Sequence, residues 1–362
     1  MQRPLRLGVS KLDIENHTPH LRTKYVFVDT QALRRARFDW KGRTLSKLVE
    51  FAKNGDLRLL VTDITTGEVK SQLKELLAEA GSSLLKHSGI IEQIGGSEAL
   101  CCLKNQAAAL SRLEACFDEF LKDARALNVP LITDIKSVLD DYFNRRPPFS
   151  AKKKAEFPDA MSVASIRQWC QQKSSTAYII SDDPDLKGCC SEAGPLFHVE
   201  TISEIISRAT VSRELHDALE KALSSSDYLS DELAGQIKNS EVEFRRYSHG
   251  RIRINAAKVA NVHSISIVSL NVLDQQGSTF TCEPEIEAEV ELNIDVEIED
   301  YSDGPDDYYH HQQSLTHTQF EYLYPEVIVR FDPKTGELEF ESIYLSGTVR
   351  INDFDFDRRW HR

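Results

Sequence analysis

Two periods of apolar residues divide the chain. Up to about residue 240, short apolar runs alternate with stretches of helical spacing; beyond it the period falls to two. In the first part, residues 25–29, 57–61, 178–181 and 196–199 read as short buried strands. Helical spacing predicts helices over 45–51, 65 to about 94 (Val69, Leu73, Leu76, Leu77, Ile91), 106–127 (Leu110, Leu113, Phe117, Phe120, Leu121) and 135–143. A further helix opens at Pro158 and runs to about 171, and another covers 202 to about 223. Strands alternating with helices predict an α/β, three-layer domain with a mostly parallel sheet.

Beyond residue 240 the pattern is that of a smaller antiparallel all-β domain with one face on a core and one in water. Residues 283–299 alternate almost without fault: Ile286, Ala288, Val290, Leu292, Ile294 and Val296 on one face, mostly Glu and Asp on the other. Strands are predicted over 251–254, 264–273, 324–331, 338–343 and 348–351, with a turn at 333–336. The expected division is an N-terminal extension (1–21), an α/β domain (22–205), a helical connector (206–240) rich in Ser, Asp and Glu at its end, and the β domain (241–362).

With 362 residues, two domains are the natural expectation. Without a long apolar run or a secretory leader, neither a membrane span nor secretion is expected; seven irregularly spaced cysteines suit a reducing, cytoplasmic setting. The net charge of −13 disfavours nucleic acid only until it is located. Residues 281–307 carry twelve acidic side chains and no Lys or Arg, and without them the chain is almost neutral.

Four acidic signals fall where an α/β fold gathers them beyond the carboxyl ends of its strands. Asp29 follows the first strand, and Glu68 lies early in the helix after the second. Asp159 sits in Glu156-Phe157-Pro158-Asp159, and Asp183 and Asp185 in Ser181-Asp182-Asp183-Pro184-Asp185. Singly, each suits a bland role: a helix cap, a first-turn charge or a turn. Gathered, they repel one another unless a divalent cation neutralises them, and an oxygen-only ligand set favours Mg²⁺ or Mn²⁺.

In order and placement these motifs resemble the PIN-domain nucleases, closest to the larger bacterial type, over roughly residues 22–205. The resemblance implies Asp29, Glu68, Asp159 and Asp183 as catalytic, metal-holding acids, with Asp185 supporting, around one or two Mg²⁺ or Mn²⁺ ions. It implies a metal-dependent endonuclease hydrolysing phosphodiester bonds, RNA being the favoured polymer. The alternatives are a nuclease for single-stranded or structured DNA, and a toxin- or defence-type module whose role a partner protein sets.

Arg34, Arg35 and Arg37 follow Asp29, and Arg145, Arg146, Lys152, Lys153 and Lys154 lead into Asp159; both clusters suit a phosphate backbone, although charge runs also simply solvate a surface. The acidic strand suits a protein partner, and homo-oligomers are compatible with the sequence. His310, His311 and His317 lack ligands at zinc spacing, so a polar loop is expected there.

Overall fold

A computed structural model describes residues 20–132, 135–149, 156–243, 248–249, 252–301 and 308–351. The expected extension therefore lies almost wholly outside the described residues, as do Lys152, Lys153 and Lys154. The chain divides into two compact units, one ending at Ala209 and one beginning at Thr210.

The first unit is the expected α/β domain. Its elements run β1 (Tyr25–Val28), α1 (Thr30–Arg35), α2 (Arg43–Asn54), β2 (Arg58–Val61), α3 (Asp63–Lys86), α4 (Ser88–Gln93), α5 (Ser97–Lys104), α6 (Gln106–Asp123), β3 (Leu127–Asn128), α7 (Lys136–Phe143), α8 (Phe157–Gln172), β4 (Ala177–Ile180), α9 (Pro184–Gly188), β5 (Leu196–Val199) and α10 (Ile202–Thr210). The strands form one sheet in the order β3-β2-β1-β4-β5. Every pairing within it is parallel. The four residues of β4 are all buried, as a strand covered on both faces requires. Beneath the sheet Phe27, Leu60 and Ile179 pack with Val163, Ile166 and Trp169 of α8.

Strand order reverses between β1 and β4, so a crevice opens beyond their carboxyl ends, the ligand position of open α/β sheets. Two local differences from the expected elements leave that crevice unchanged. The helix expected from 65 to 94 breaks after Lys86, and the end of the helix expected over 106–127 is instead the short strand β3.

The second unit contains α11 (Arg213–Ser224), α12 (Asp227–Lys238), β6 (Val242–Glu243), β7 (Ser248–His249), β8 (Ile252–Gln276), β9 (Thr279–Tyr301), β10 (Tyr308–Leu323), β11 (Glu326–Asp332), β12 (Glu337–Tyr344) and β13 (Val349–Arg350). Its main sheet runs β12-β11-β9-β8-β7, with β10 pairing β9 from Ile286 to Tyr301. From Phe280 to Val296 every even residue of β9 is buried, as the alternation predicts. The long partner β8 slips register five times against it, between Ile254 and Ala256 first and Val272 and Asp274 last. Each slip leaves an extra residue on β8, which re-phases its inward face and tightens the twist.

Three features differ from the sequence expectation. Residues 202–223 are two helices rather than one, because Ser212 caps α11 by accepting from the Leu215 amide. Residues 213–238, expected as a connector, contribute Leu215, Leu219, Leu223, Leu229, Leu233 and Ile237 to the same core as Ile286, Val290 and Ile294 of β9. The segment 308–323, expected as a polar loop around His310, His311 and His317, is strand β10. Its inward positions include Gln319 and Glu321, both buried. The Gln319 amide donates to Glu321 and to the Arg350 carbonyl, so a polar interior is satisfied internally.

The shared core carries a prediction. Leu219→Ala and Leu233→Ala, each at fully buried positions, should destabilise the C-terminal unit by about 2–5 kcal/mol. The check is chemical denaturation of the full chain combined with proteolysis. Both variants should expose the β strands to cleavage; a protease pattern and transition unchanged from wild type would mean that the helices do not belong to this core.

Candidate metal centre at the β1–β4 crevice

Each acid is delivered by a strand end or a helix start. Asp29 ends β1 at the N-cap position of α1, yet makes no side-chain capping hydrogen bond. Its Oδ2 instead accepts from Ser181 Oγ at 2.9 Å, across the crevice at the end of β4. That Oγ also accepts from the Asp183 amide at 3.1 Å, so one hydroxyl ties the acids of both strands together. The Ser181 carbonyl lies 2.7 Å from His198 Nε2 on β5, which anchors the turn from its other side.

Glu68 lies on the second turn of α3, and its Oε2 accepts from Thr30 Oγ1 at 2.9 Å. Thr30 is the residue after Asp29, so the β1–α1 junction positions two carboxylates at once. The start of α3 is fixed by Thr62, which caps it through the Thr65 amide and lies 3.2 Å from Ser162 Oγ of α8. Ser162 is one turn beyond Asp159, in the first turn of α8 where Pro158 opens the helix. Asp183 does cap a helix: its Oδ1 accepts from the Asp185 amide at 2.8 Å, starting α9.

Electrostatics show the convergence. Burial pushes the Asp159 carboxyl up to about 7, and the charges of Asp29, Glu68, Glu156 and Asp183 push in the same direction. Burial likewise raises Asp29 to about 6, with Glu68 and Asp183 adding repulsion and the Ser181 hydroxyl partly opposing it. Thus Asp29, Glu68, Asp159 and Asp183 are brought into one mutually repelling group. Asp185 joins through a neighbouring cluster in which carboxylate oxygens of Asp183, Asp185 and Glu156 lie within 4.8 Å of one another.

Glu156 is the residue that sequence reasoning passed over. It stands three residues before Asp159 at the N-cap of α8, inside the same Glu156-Phe157-Pro158-Asp159 motif, but nothing in the pattern distinguishes it from a solvated charge. The carboxylate-only donor set fits a hard divalent cation, and we propose that Asp29, Glu68, Asp159 and Asp183 would hold it.

The basic residues are less tightly drawn in. Arg35 pairs with Asp182, the neighbour of Asp183, at 2.6 Å. Arg34 and Arg37 are exposed beside it. Arg145 is exposed, and Arg146 pairs with Asp141 at 2.8 Å. Among the described residues no helix is long and apolar enough to cross a membrane.

The crowding has a pH signature in metal-free protein. Between about 4 and 7, folded Asp159 holds a proton that the unfolded chain has released, so stability falls as pH rises through that window. In EDTA the melting temperature should be higher at pH 5 than at pH 7.5, and Asp159→Asn should flatten the slope. Mn²⁺ at pH 7.5 should restore stability to wild type by binding the folded state. Equal slopes for wild type and variant in EDTA would show that the carboxylates do not crowd one another.

Residues 26–186 match the family model of the PIN domain, a span that contains every acid of this cluster and ends before the second unit. No curated protein and no solved structure matches the chain. The segment from β1 to the start of α9, with its parallel sheet and acidic crevice, is a PIN domain, followed in this chain by a separate antiparallel β unit.

Proposed function

We propose that the PIN domain is a metal-dependent endonuclease hydrolysing phosphodiester bonds, with RNA as the favoured polymer. The observation that carries this reading is the gathering of Asp29, Glu68, Asp159 and Asp183 at the strand-order reversal, where their charges oppose one another. A bound Mg²⁺ or Mn²⁺ would supply Lewis acidity and neutralise charge developing on the phosphate.

The chain's own contribution is positioning. Thr30 and Ser181 fix the orientation of Glu68 and Asp29, so that ligand oxygens are set before substrate arrives. Asp183 is held by its own cap to α9, and Asp185 and Glu156 enlarge the negative field beside it. Exposed Arg34 and Arg37 would contact phosphates flanking the scissile bond, carrying affinity rather than sequence choice. Arg35 would exchange Asp182 for substrate, an exchange that costs little because the pair is solvated.

The test is cleavage by the purified full chain of end-labelled single-stranded RNA, single-stranded DNA and a structured DNA, in Mn²⁺, Mg²⁺ or EDTA. Cleavage of RNA in Mn²⁺ and none in EDTA is expected. Asp29→Asn and Asp159→Asn should each lower the rate by at least about 100-fold while the fold is retained, since Asn keeps shape and loses charge. Undiminished cleavage by both variants would overturn the mechanism, and cleavage of DNA alone would overturn the choice of polymer.

A further inference from the structure

The outer face of the β8–β9–β10 sheet has no role in the proposed nuclease chemistry. The odd residues of β9 point to it, and Glu285, Glu287, Glu289 and Glu291 occupy consecutive outward positions. Their partners on β8 are Ser269, Ser266, Ser264 and Asn261. On β10, Glu287, Glu289 and Glu291 face Tyr322, Phe320 and Thr318. Neither neighbouring strand places a Lys or Arg opposite these four acids, and the basic side chain beside the row is His263 of β8, whose Nε2 lies 3.4 Å from Glu291. Even-numbered residues of β10 from Gln312 to Tyr322, and Tyr324 just past its end, are all exposed, so this face is open to water.

Aromatic side chains line the acidic row. Phe320 and Tyr322 of β10, and Tyr324 just past it, are 55%, 53% and 47% exposed, whereas the outward residues from Gln312 to Thr318 are Gln, Ser and Thr. The Tyr322 hydroxyl donates to Glu287 and that of Tyr324 to Glu285 at 3.0 Å, so the rings are held beside the carboxylates. A row of acids alone would solubilise a sheet edge; three exposed rings along it, two of them held by their hydroxyls, serve no such purpose.

We propose that this face docks an extended, arginine-rich segment of a partner protein. Alternate residues of a strand repeat at about 7 Å, so an extended chain with a cation at every second residue matches the four glutamates in register. Guanidinium groups both pair with carboxylates through two parallel hydrogen bonds and lie over aromatic rings, whereas a lysine ammonium gains less from the rings. Phosphate polymers are repelled by the row. Among the described residues, the side-chain clusters close enough to share a metal ion do not include these glutamates, which favours a spread-out cation over a single ion.

The probe is a fluorescein-labelled decapeptide of alternating arginine and serine, its lysine counterpart serving as reference, titrated with the full chain by anisotropy at several salt concentrations. On the unaltered protein the arginine peptide should bind about threefold more tightly than the lysine peptide. Glu287→Gln with Glu289→Gln should weaken arginine-peptide binding about tenfold and flatten its salt dependence. Glu75→Gln with Glu79→Gln, which removes the same charge from the exposed side of α3, should change it less than about twofold. Phe320→Thr with Tyr322→Thr should erase the preference for arginine while leaving lysine binding in place.

Equal losses from the two glutamate pairs would reduce the face to bulk acidity and overturn the proposal, as would equal binding of both peptides to the unaltered chain. Salt-sensitive self-association in sedimentation that disappears in Glu287→Gln with Glu289→Gln would assign the face to a second copy instead. None of these readouts involves cleavage, so failure of the nuclease reading leaves this test intact.

Discussion

The first unit is organised by the repulsion among carboxylates gathered beyond β1 and β4. A buried acid such as Asp29, 6% exposed, is costly to hold charged without compensation. Compensation here comes from hydroxyl hydrogen bonds: Ser181 to Asp29 and Thr30 to Glu68. Each hydroxyl sits at a strand end or a helix start whose backbone is fixed by the sheet. The parallel order β3-β2-β1-β4-β5 thereby does more than bury apolar residues. It places two strand ends side by side and brings the N-terminal ends of α3 and α8 toward them, tied by the Thr62–Ser162 contact. Burial and the neighbouring charges still raise the Asp159 carboxyl to about 7, and the proposed divalent cation would offset that repulsion.

The second unit meets a different constraint. Its central strand β9 carries an apolar and an acidic residue alternately for most of its length, so one face must be covered and the other must stay wet. Helices α11 and α12 contribute apolar side chains to the core on the covered face. On the wet face Ser269 donates to Glu285, the neighbouring strands supply mainly hydroxyl and amide side chains, and His263 Nε2 lies 3.4 Å from Glu291.

How much was legible in the sequence follows from which features are local. Asp29, Glu68, Asp159 and Asp183 could be named because each lies within a few residues of a strand end or helix start, and the parallel order of such strands is restricted to few topologies. Glu156 could not, since its value depends on the approach of Asp183 and Asp185 from a distant segment. The stripe Leu229, Leu233, Ile237 was helical on its face, but a stripe says only that something covers it, and the serine- and acid-rich composition pointed to a linker. Strand β10 was missed because Gln319 and Glu321 point inward and Phe320 and Tyr322 outward, the reverse of the usual alternation. The register slips along β8 hid a 25-residue strand behind an irregular pattern.

The central claim is that four acids from four separate segments form one cation site. Its most direct measurement is a crystal structure of the full chain grown with Mn²⁺, with the ion located by anomalous scattering. The account predicts a Mn²⁺ ion in the β1–β4 crevice bonded directly or through water to Asp29, Glu68, Asp159 and Asp183, at the roughly 2.0–2.6 Å oxygen distances of hard divalent cations for the direct bonds. An ordered crevice without Mn²⁺, or with Mn²⁺ held elsewhere and the four carboxylates turned apart, would contradict it.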